Sequence, residues 1–451
     1  MPLSLNSIRA CLEGAVPAVI ATCASDGTPN VSYISEVHYV DPRHVALSFQ
    51  FFSKTRQNVL ENPRATVVVA HPETGAQYRL AVRYLRTEES GPLFECMKAK
   101  LAGIASHSGM TGVFRLRGAD VYQVESVAEV PGTRSPAAPS EPVGLADVRA
   151  SMARLSGAPD LGAMLDGLLD ELQQRYGVSH AMVLMLDPAR GTLYSVASRG
   201  YPQSGVGAEL RPGEGLIGAA ALSRIPIRIS HATSEFGYGR AMRDAAEQRG
   251  VTGGIDHEIP FPGLPESQSQ IAVPILAGER LLGVLFAESA QTARFGYDEE
   301  DAFATLASHA GAVAALLGED AELHEEAARP TRAPAPGGSV PGGTPLSVRH
   351  YAANDSVFVG EDYLIKGVAG AILWRLLRRH VEEGRCEHTN RELRLDPAIR
   401  LPDLSENLEA RLILLSRRLA ERCPALRIEK TGRGRFRFHV LRPVALHEIP
   451  R

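Results

Sequence analysis

The chain has 451 residues, of which 44% are apolar, with 48 Lys+Arg against 52 Asp+Glu. That length exceeds what one hydrophobic core supports and calls for two to four domains. No run of about eighteen apolar residues occurs, so the sequence offers no membrane span. The opening MPLSLNSIRACLEG reads as an amphipathic helix rather than a cleavable leader. Five cysteines (Cys11, Cys23, Cys96, Cys386 and Cys423) are scattered without metal-ligand spacing. They read as reduced thiols of a cytoplasmic protein with neither a disulfide framework nor a metal site.

Charge is unevenly placed. From Pro345 onward 20 Lys+Arg face 14 Asp+Glu, whereas the preceding part carries 28 and 38. A basic end on an acidic body is the pattern of a nucleic-acid-binding module joined to something else, although Arg-rich helices also serve as solvated faces. Two stretches read as linkers: PGTRSPAAPSEP (131–142), and 319–345, where an acidic run gives way to PTRAPAPGGSVPGGTP. Neither composition supports a packed core. The expected organisation is a multidomain α+β chain with units at 1–130, 143–318 and 346–445.

In the first unit, short β-rich runs (AVIATCA, VSYISEVHYV, VALSFQFF, ATVVVAH, YRLAVRYLRTE, VFRLRGADVYQVESV) alternate with turn residues and two helical stretches. Such a pattern predicts a small antiparallel barrel. The run DGTPNVSYISEVHYVDPRHVALSFQFFSKTRQNVLENPRATVVV resembles the pyridoxamine-phosphate-oxidase-like split barrels, a family of FMN-binding homodimers. Ser53, Lys54 and Thr55 stand where a strand gives way to a helix, so N–H groups, hydroxyls and an ammonium can meet one phosphate. The resemblance implies FMN held by Ser53, Lys54, Thr55 and Arg56, with Gln77 or Arg79 near the flavin ring. The family's second phosphate clamp, an arginine on the preceding strand, falls near Tyr33, where this sequence has no basic residue. Ser53 can alternatively be a simple helix cap.

The second unit opens with two amphipathic helices in LADVRASMARLSGAPDLGAMLDGLLDELQQRYGV, continues through strands, and closes with a helix in FGYDEEDAFATLASHAGAVAALL. The pieces GEGLIGAAALSRIPIRIS and IAVPILAGERLLGVLFAES resemble a GAF domain, an α/β sandwich whose members hold varied small ligands or none. The resemblance places the insert 230–270 over the pocket, with His231, Tyr238, Arg240, Arg243, Asp256, His257 and Glu258. Arg240 and Arg243 would suit an anion; His231, His257 and Glu258 could form a metal or haem site, or be ordinary surface residues. The ligand is open. A stripe of Ala302, Leu306, His309, Val313 and Leu316 would serve a dimer contact or pack on its own sheet.

The third unit reads as strand-like runs, a helix ending at Gly384, a helix capped by Thr389 with Glu392 three later, a long helix capped by Ser405, and a hairpin around Thr431–Gly434. NLEARLILLSRRLAE and GRGRFRF resemble the recognition helix and wing of response-regulator-type winged helices. That resemblance implies DNA contacts by Arg411, Arg417 and Arg418 on the helix and Arg433 and Arg435 on the wing, with Lys430 nearby. Glu406, Asn407 and Glu409 would read bases or cap the helix, and Leu412, Ile413, Leu415 and Leu419 would be core. Together these readings describe a homodimeric, ligand- or redox-responsive transcriptional regulator without a membrane anchor. The rival is an FMN-dependent oxidoreductase with regulatory appendages. Signal is expected to travel through dimer geometry, because the second linker cannot carry force.

Overall fold

The computed structural model describes residues 3–12, 16, 18–34, 36–49, 53–107, 116–136, 143–229, 259–327, 344–399 and 408–450. After a 3-10 helix, Leu5–Leu12, the N-terminal unit forms seven antiparallel strands: β1 (Ala18–Cys23), β2 (Pro29–Ile34), β3 (Val37–Asp41), β4 (His44–Phe49), β5 (Arg64–Ala70), β6 (Gln77–Glu88) and β7 (Gly118–Val130). Their order is β2-β1-β5-β6-β7-β4-β3. In β5, alternation sends Ala65, Val67 and Val69 inward, the period expected of a half-buried strand. Bulges between β6 and β7 at Ala81/Val82 and Tyr84/Arg86 bend the two longest strands. The sheet thereby encloses Ile20, Val45, Leu80 and Tyr122 beneath Leu5, Ile8 and Leu12 of the 3-10 helix. Helix α1 (Lys54–Glu61) starts at the Ser53 cap and stops where Asn62 meets Pro63. Helix α2 (Pro92–His107) closes the other side.

The central unit holds a six-stranded antiparallel sheet ordered β10-β9-β8-β13-β12-β11. Its strands are β8 (His180–Asp187), β9 (Thr192–Arg199), β10 (Glu209–Leu210), β11 (Ile227–Ile229), β12 (Ser269–Ala277) and β13 (Arg280–Ser289). Helices α3 (Leu145–Ser156), α4 (Leu161–Gln174) and α6 (Tyr297–Ala327) belong to the core on one face, and α5 (Gly215–Ser223) covers the other. By length and composition, Tyr297–Gly318 could cross a membrane. Here Phe303, Leu306, Ala307 and Ala310 of that helix are fully buried in the domain core, which accounts for its apolar face. Of the expected dimer stripe, Ala302, Leu306 and Val313 are buried at home, His309 bonds Ser156 at 2.9 Å, and Leu316 is exposed. The acidic run assigned to the linker is helical as far as Ala327, as a continuation of α6.

The C-terminal unit has a sheet ordered β16-β15-β14-β20, from β14 (Leu346–Tyr351), β15 (Ser356–Val359), β16 (Asp362–Ile365) and β20 (Val444–Ile449). Helices α7 (Gly367–Glu383), α8 (Asn390–Arg394) and α9 (Leu408–Arg422) follow one another, with β17 (Glu387–Thr389) before α8. The hairpin β18 (Leu426–Gly432) and β19 (Arg435–Val440) pairs with β17. Helix α7 ends at Gly384, whose φ of +66° suits a residue without Cβ. Thr389 caps α8 by accepting from the Glu392 N–H at 3.2 Å. The Glu392 carboxylate does not close a capping box; it takes His388 at 3.0 Å together with Arg379 and Arg385. Strand β20, parallel to β14, extends the unit beyond the expected end at 445. Ser405, Glu406 and Asn407 lie outside the described residues.

The central and C-terminal units share one hydrophobic core. Leu165, Val196, Phe303 and Leu306 of the former belong to the same buried cluster as Ile372, Leu376, Leu415 and Phe438 of the latter. Besides the linker 319–345, which was expected to carry no force, the two units are thus joined by direct packing of their apolar faces. At the other junction α2 lies against α5, and the Arg9 guanidinium stacks on Tyr297 at 3.7 Å.

Candidate functional site

Three places carry candidate functional side chains. At the start of α1, the Ser53 hydroxyl accepts from the Arg56 N–H at 3.3 Å, an N-cap. Lys54 is exposed beside it, and Thr55 accepts from Asn30 Nδ2 of β2 at 2.9 Å. First-turn N–H groups, two hydroxyls and an ammonium thus gather at one corner, a donor set suited to a phosphate. Arg56 does not join them. Its guanidinium stacks on Phe49 at 4.2 Å and pairs with Asp120 of β7, which also accepts from the Thr87 hydroxyl at 2.6 Å. Arg56 therefore braces the sheet rather than facing an anion. Gln77 and Arg79 are exposed at the start of β6, opposite Ala70 and Val68 of β5. Tyr33, at the position of the missing arginine, is 81% exposed on the edge strand β2.

In the central domain His231, Tyr238, Arg240, Arg243, Asp256, His257 and Glu258 all lie outside the described residues. The α5-side face of the sheet carries a polar row that the sequence reading missed. Register puts Gln270 of β12 beside Glu288 of β13, and Glu288 beside His180 of β8. Glu288 is 3% exposed and accepts from the Leu264 N–H at 2.8 Å. Gln270 donates to Ser267 at 3.1 Å, while its Oε1 and the Tyr201 hydroxyl are buried without a well-formed hydrogen bond among the described residues. Burial, with Glu288 close by, drives the Tyr201 hydroxyl far above its ordinary pKa. The signal available in the sequence was Gln270 and Glu288 interrupting otherwise apolar strands.

The third place is the face of α9. Arg411 is only 6% exposed; it pairs with Asp187 of the central sheet at 2.5 Å and lies 4.3 Å over the Tyr194 ring. Asp187 Oδ1 accepts from the Ala189 N–H at 3.1 Å, so this carboxylate also holds the β8–β9 turn. Arg417 donates to Val196 O at 2.9 Å and to Asp166 at 2.8 Å, and Asp166 also takes Arg199. Arg418 is buried and donates to Leu364 O of β16 at 2.9 Å. Lys430 sits 2.9 Å from both Glu409 and Asp160, the α4 cap. Burial alone would lower the Lys430 pKa, but the two carboxylates outweigh it and hold it above the ordinary lysine value. The arginines read in the sequence as DNA contacts, Arg411, Arg417 and Arg418, are thus engaged within the chain, Arg411 and Arg417 by the central domain and Arg418 by β16. Arg433 and Arg435 are exposed at the hairpin. Leu412, Ile413, Leu415 and Leu419 are buried as expected, and Ile413 reaches across to within 3.6 Å of where a Gly162 Cβ would stand.

Residues 5–125 match the family model for pyridoxamine 5'-phosphate oxidase and residues 158–314 that for the GAF domain. No curated protein matches the chain. Among solved structures, the GAF domain of an Acinetobacter phosphoenolpyruvate-protein phosphotransferase is 21% identical, with a TM-score of 0.30 over 38% of this chain and 92% of that one. An FMN-binding protein from Syntrophomonas wolfei is 18% identical, with a TM-score of 0.24 over 29% of this chain and 93% of the other. The free methionine-R-sulfoxide reductase of Neisseria meningitidis is 16% identical, with a TM-score of 0.30 over 41% and 98%. The chain thus carries a pyridoxamine-phosphate-oxidase-type domain followed by a GAF domain.

Proposed function

We propose that the chain is a ligand- or redox-responsive transcriptional regulator. A flavin or another small molecule, held by the first domain, the GAF domain or both, alters how a C-terminal winged helix meets DNA. The succession α7, β17, α8, α9 and hairpin β18–β19 supports the winged-helix reading, with α9 as recognition helix and the hairpin as wing. The observation that carries the regulatory part is the grip of GAF carboxylates on that unit. Asp187, Asp166 and Asp160 hold Arg411, Arg417 and Lys430, cations of the kind that neutralise duplex phosphates. The GAF domain and DNA then compete for one face of α9, and its release is the output. Dimerisation through the first domain would bring two such units together.

In this reading FMN is held by Ser53, Lys54 and Thr55, while Arg56 keeps the corner in shape through Asp120. Bound FMN would supply one- and two-electron redox chemistry. The test is duplex binding by the full chain, followed by fluorescence anisotropy between about 50 and 200 mM salt. Asp166→Asn/Asp187→Asn should bind more tightly than the wild type, with a steep salt slope in both. If neither protein binds duplex DNA at low salt, the reading fails. A second reading, an FMN-dependent oxidoreductase, is favoured by the match of residues 5–125. Steady turnover of NAD(P)H with a small acceptor by flavin-loaded protein would select it.

A further inference from the structure

Between the start of α4, the middle of α9 and the hairpin β18–β19 lies a cleft of about 640 Å³, within the size range that takes small organic ligands. Its apolar walls come from Ala163, Leu412, Ile413, Ile428 and Phe436. The carboxylates lining it are already satisfied: Asp160 and Glu409 share Lys430, and Asp166 is held by Arg417 and Arg199. Of the cations lining the cleft, Arg417 and Lys430 answer these carboxylates, and Arg433 and Arg435 stand beside them on the hairpin.

The Arg435 guanidinium makes no hydrogen bond or ion pair among the described residues. Asn390 is only 7% exposed and lines the same cleft. Its N–H donates to Gly434 O at 2.8 Å, but its side-chain amide has no partner among the described residues. An uncompensated guanidinium, an amide lining the cleft and an apolar bed in one cleft make up a complementary set.

We propose that this cleft binds a small organic anion with a flat apolar body. The acidic group faces Arg435, the body lies on Ile413 and Phe436, and Asn390 bonds the ligand's polar edge. The site is separate from the Ser53 corner and from the α5-side face of the GAF sheet. It does not depend on what the C-terminal unit binds. Because its walls come from both units, an occupant binds the packed arrangement alone and stabilises it.

The probe is 1-anilinonaphthalene-8-sulfonate, an aromatic sulfonate that fluoresces on leaving water, titrated into the full chain. The wild type should show one saturable site per chain and a raised melting temperature. Arg435→Ala, at an exposed position, should weaken that site about tenfold, equivalent to 1.4 kcal/mol. Ser416→Phe should fill the cleft and abolish the site. Dye bound elsewhere, including the Ser53 corner, persists in both variants and is subtracted. The proposal is overturned if no component of wild-type binding is lost in Ser416→Phe, or if Arg435→Ala binds as the wild type does.

Discussion

Replacing Asp187 by Asn tests the junction between the GAF domain and α9 most directly. Asp187 and Arg411 are both almost fully buried and 2.5 Å apart. Breaking a buried pair by removing one partner costs about 3–5 kcal/mol, because a charge is left uncompensated. Two features keep the cost at the low end. The Tyr194 ring beneath the guanidinium retains a cation–π attraction worth ~1 kcal/mol. Asn also keeps an acceptor for the turn N–H groups that Asp187 Oδ1 now serves. The expected loss is about 3 kcal/mol, which for a unit of this size lowers the melting temperature by roughly 6–12 °C. Scanning calorimetry of the full chain should show the GAF–C-terminal transition shifting while that of the first domain stays in place. Arg411→Met/Asp187→Asn should recover most of the loss, since no charge then remains buried. A single variant that melts within about 1 °C of the wild type, or a double variant that loses the sum of the two singles, would refute the argument.

Four further outcomes are expected. Burial pushes the Glu36 carboxyl up from 4.5 to about 7 and the neighbouring His38 down from 6.5 to about 3, with Lys100 and Arg9 nearby. Glu36 makes stability fall as pH rises from 4.5 to 7, whereas His38 makes it fall as pH drops from 6.5 to 3, so the two slopes oppose each other between 4.5 and 6.5. Glu36→Gln should expose a slope of about 1.4 kcal/mol per pH unit, with stability rising with pH, in urea melts at fixed pH; a flat profile argues against it. Lys54→Ala should weaken FMN about tenfold by flavin fluorescence quenching, equivalent to 1.4 kcal/mol. Arg56→Ala should instead lower stability by about 3 kcal/mol through the stranded Asp120; chemical denaturation separates the two effects. In duplex binding, Arg433→Ala should reduce the salt slope by about one, and an unchanged slope removes it from the interface.

Local features were well marked in the sequence because local chemistry produces them. Ser53 caps α1 and Thr389 caps α8, each hydroxyl meeting an N–H three residues on. Gly384 ends α7 in a conformation that costs glycine little. The periodicity of α9 correctly set Leu415 and Leu419 inside. The same periodicity could not tell which neighbour covers the remaining faces of the helix, where Arg411 and Arg417 meet Asp187 and Asp166.

What the sequence alone determined, then, was the order of the pyridoxamine-phosphate-oxidase-type and GAF domains and local features such as the Ser53 and Thr389 caps, which rest on contacts a few residues apart. The tertiary structure decided which charges meet. Arg56 found Asp120, Arg417 found Asp166, and Arg411 found Asp187, all across separations that no pattern in the chain encodes. It also decided that Gln270 and Glu288 stand side by side, because strand register places them so. A guanidinium reads the same in sequence whether it awaits a phosphate or is buried against a carboxylate. Packing distinguishes the two, by setting whether water or a neighbouring domain covers it.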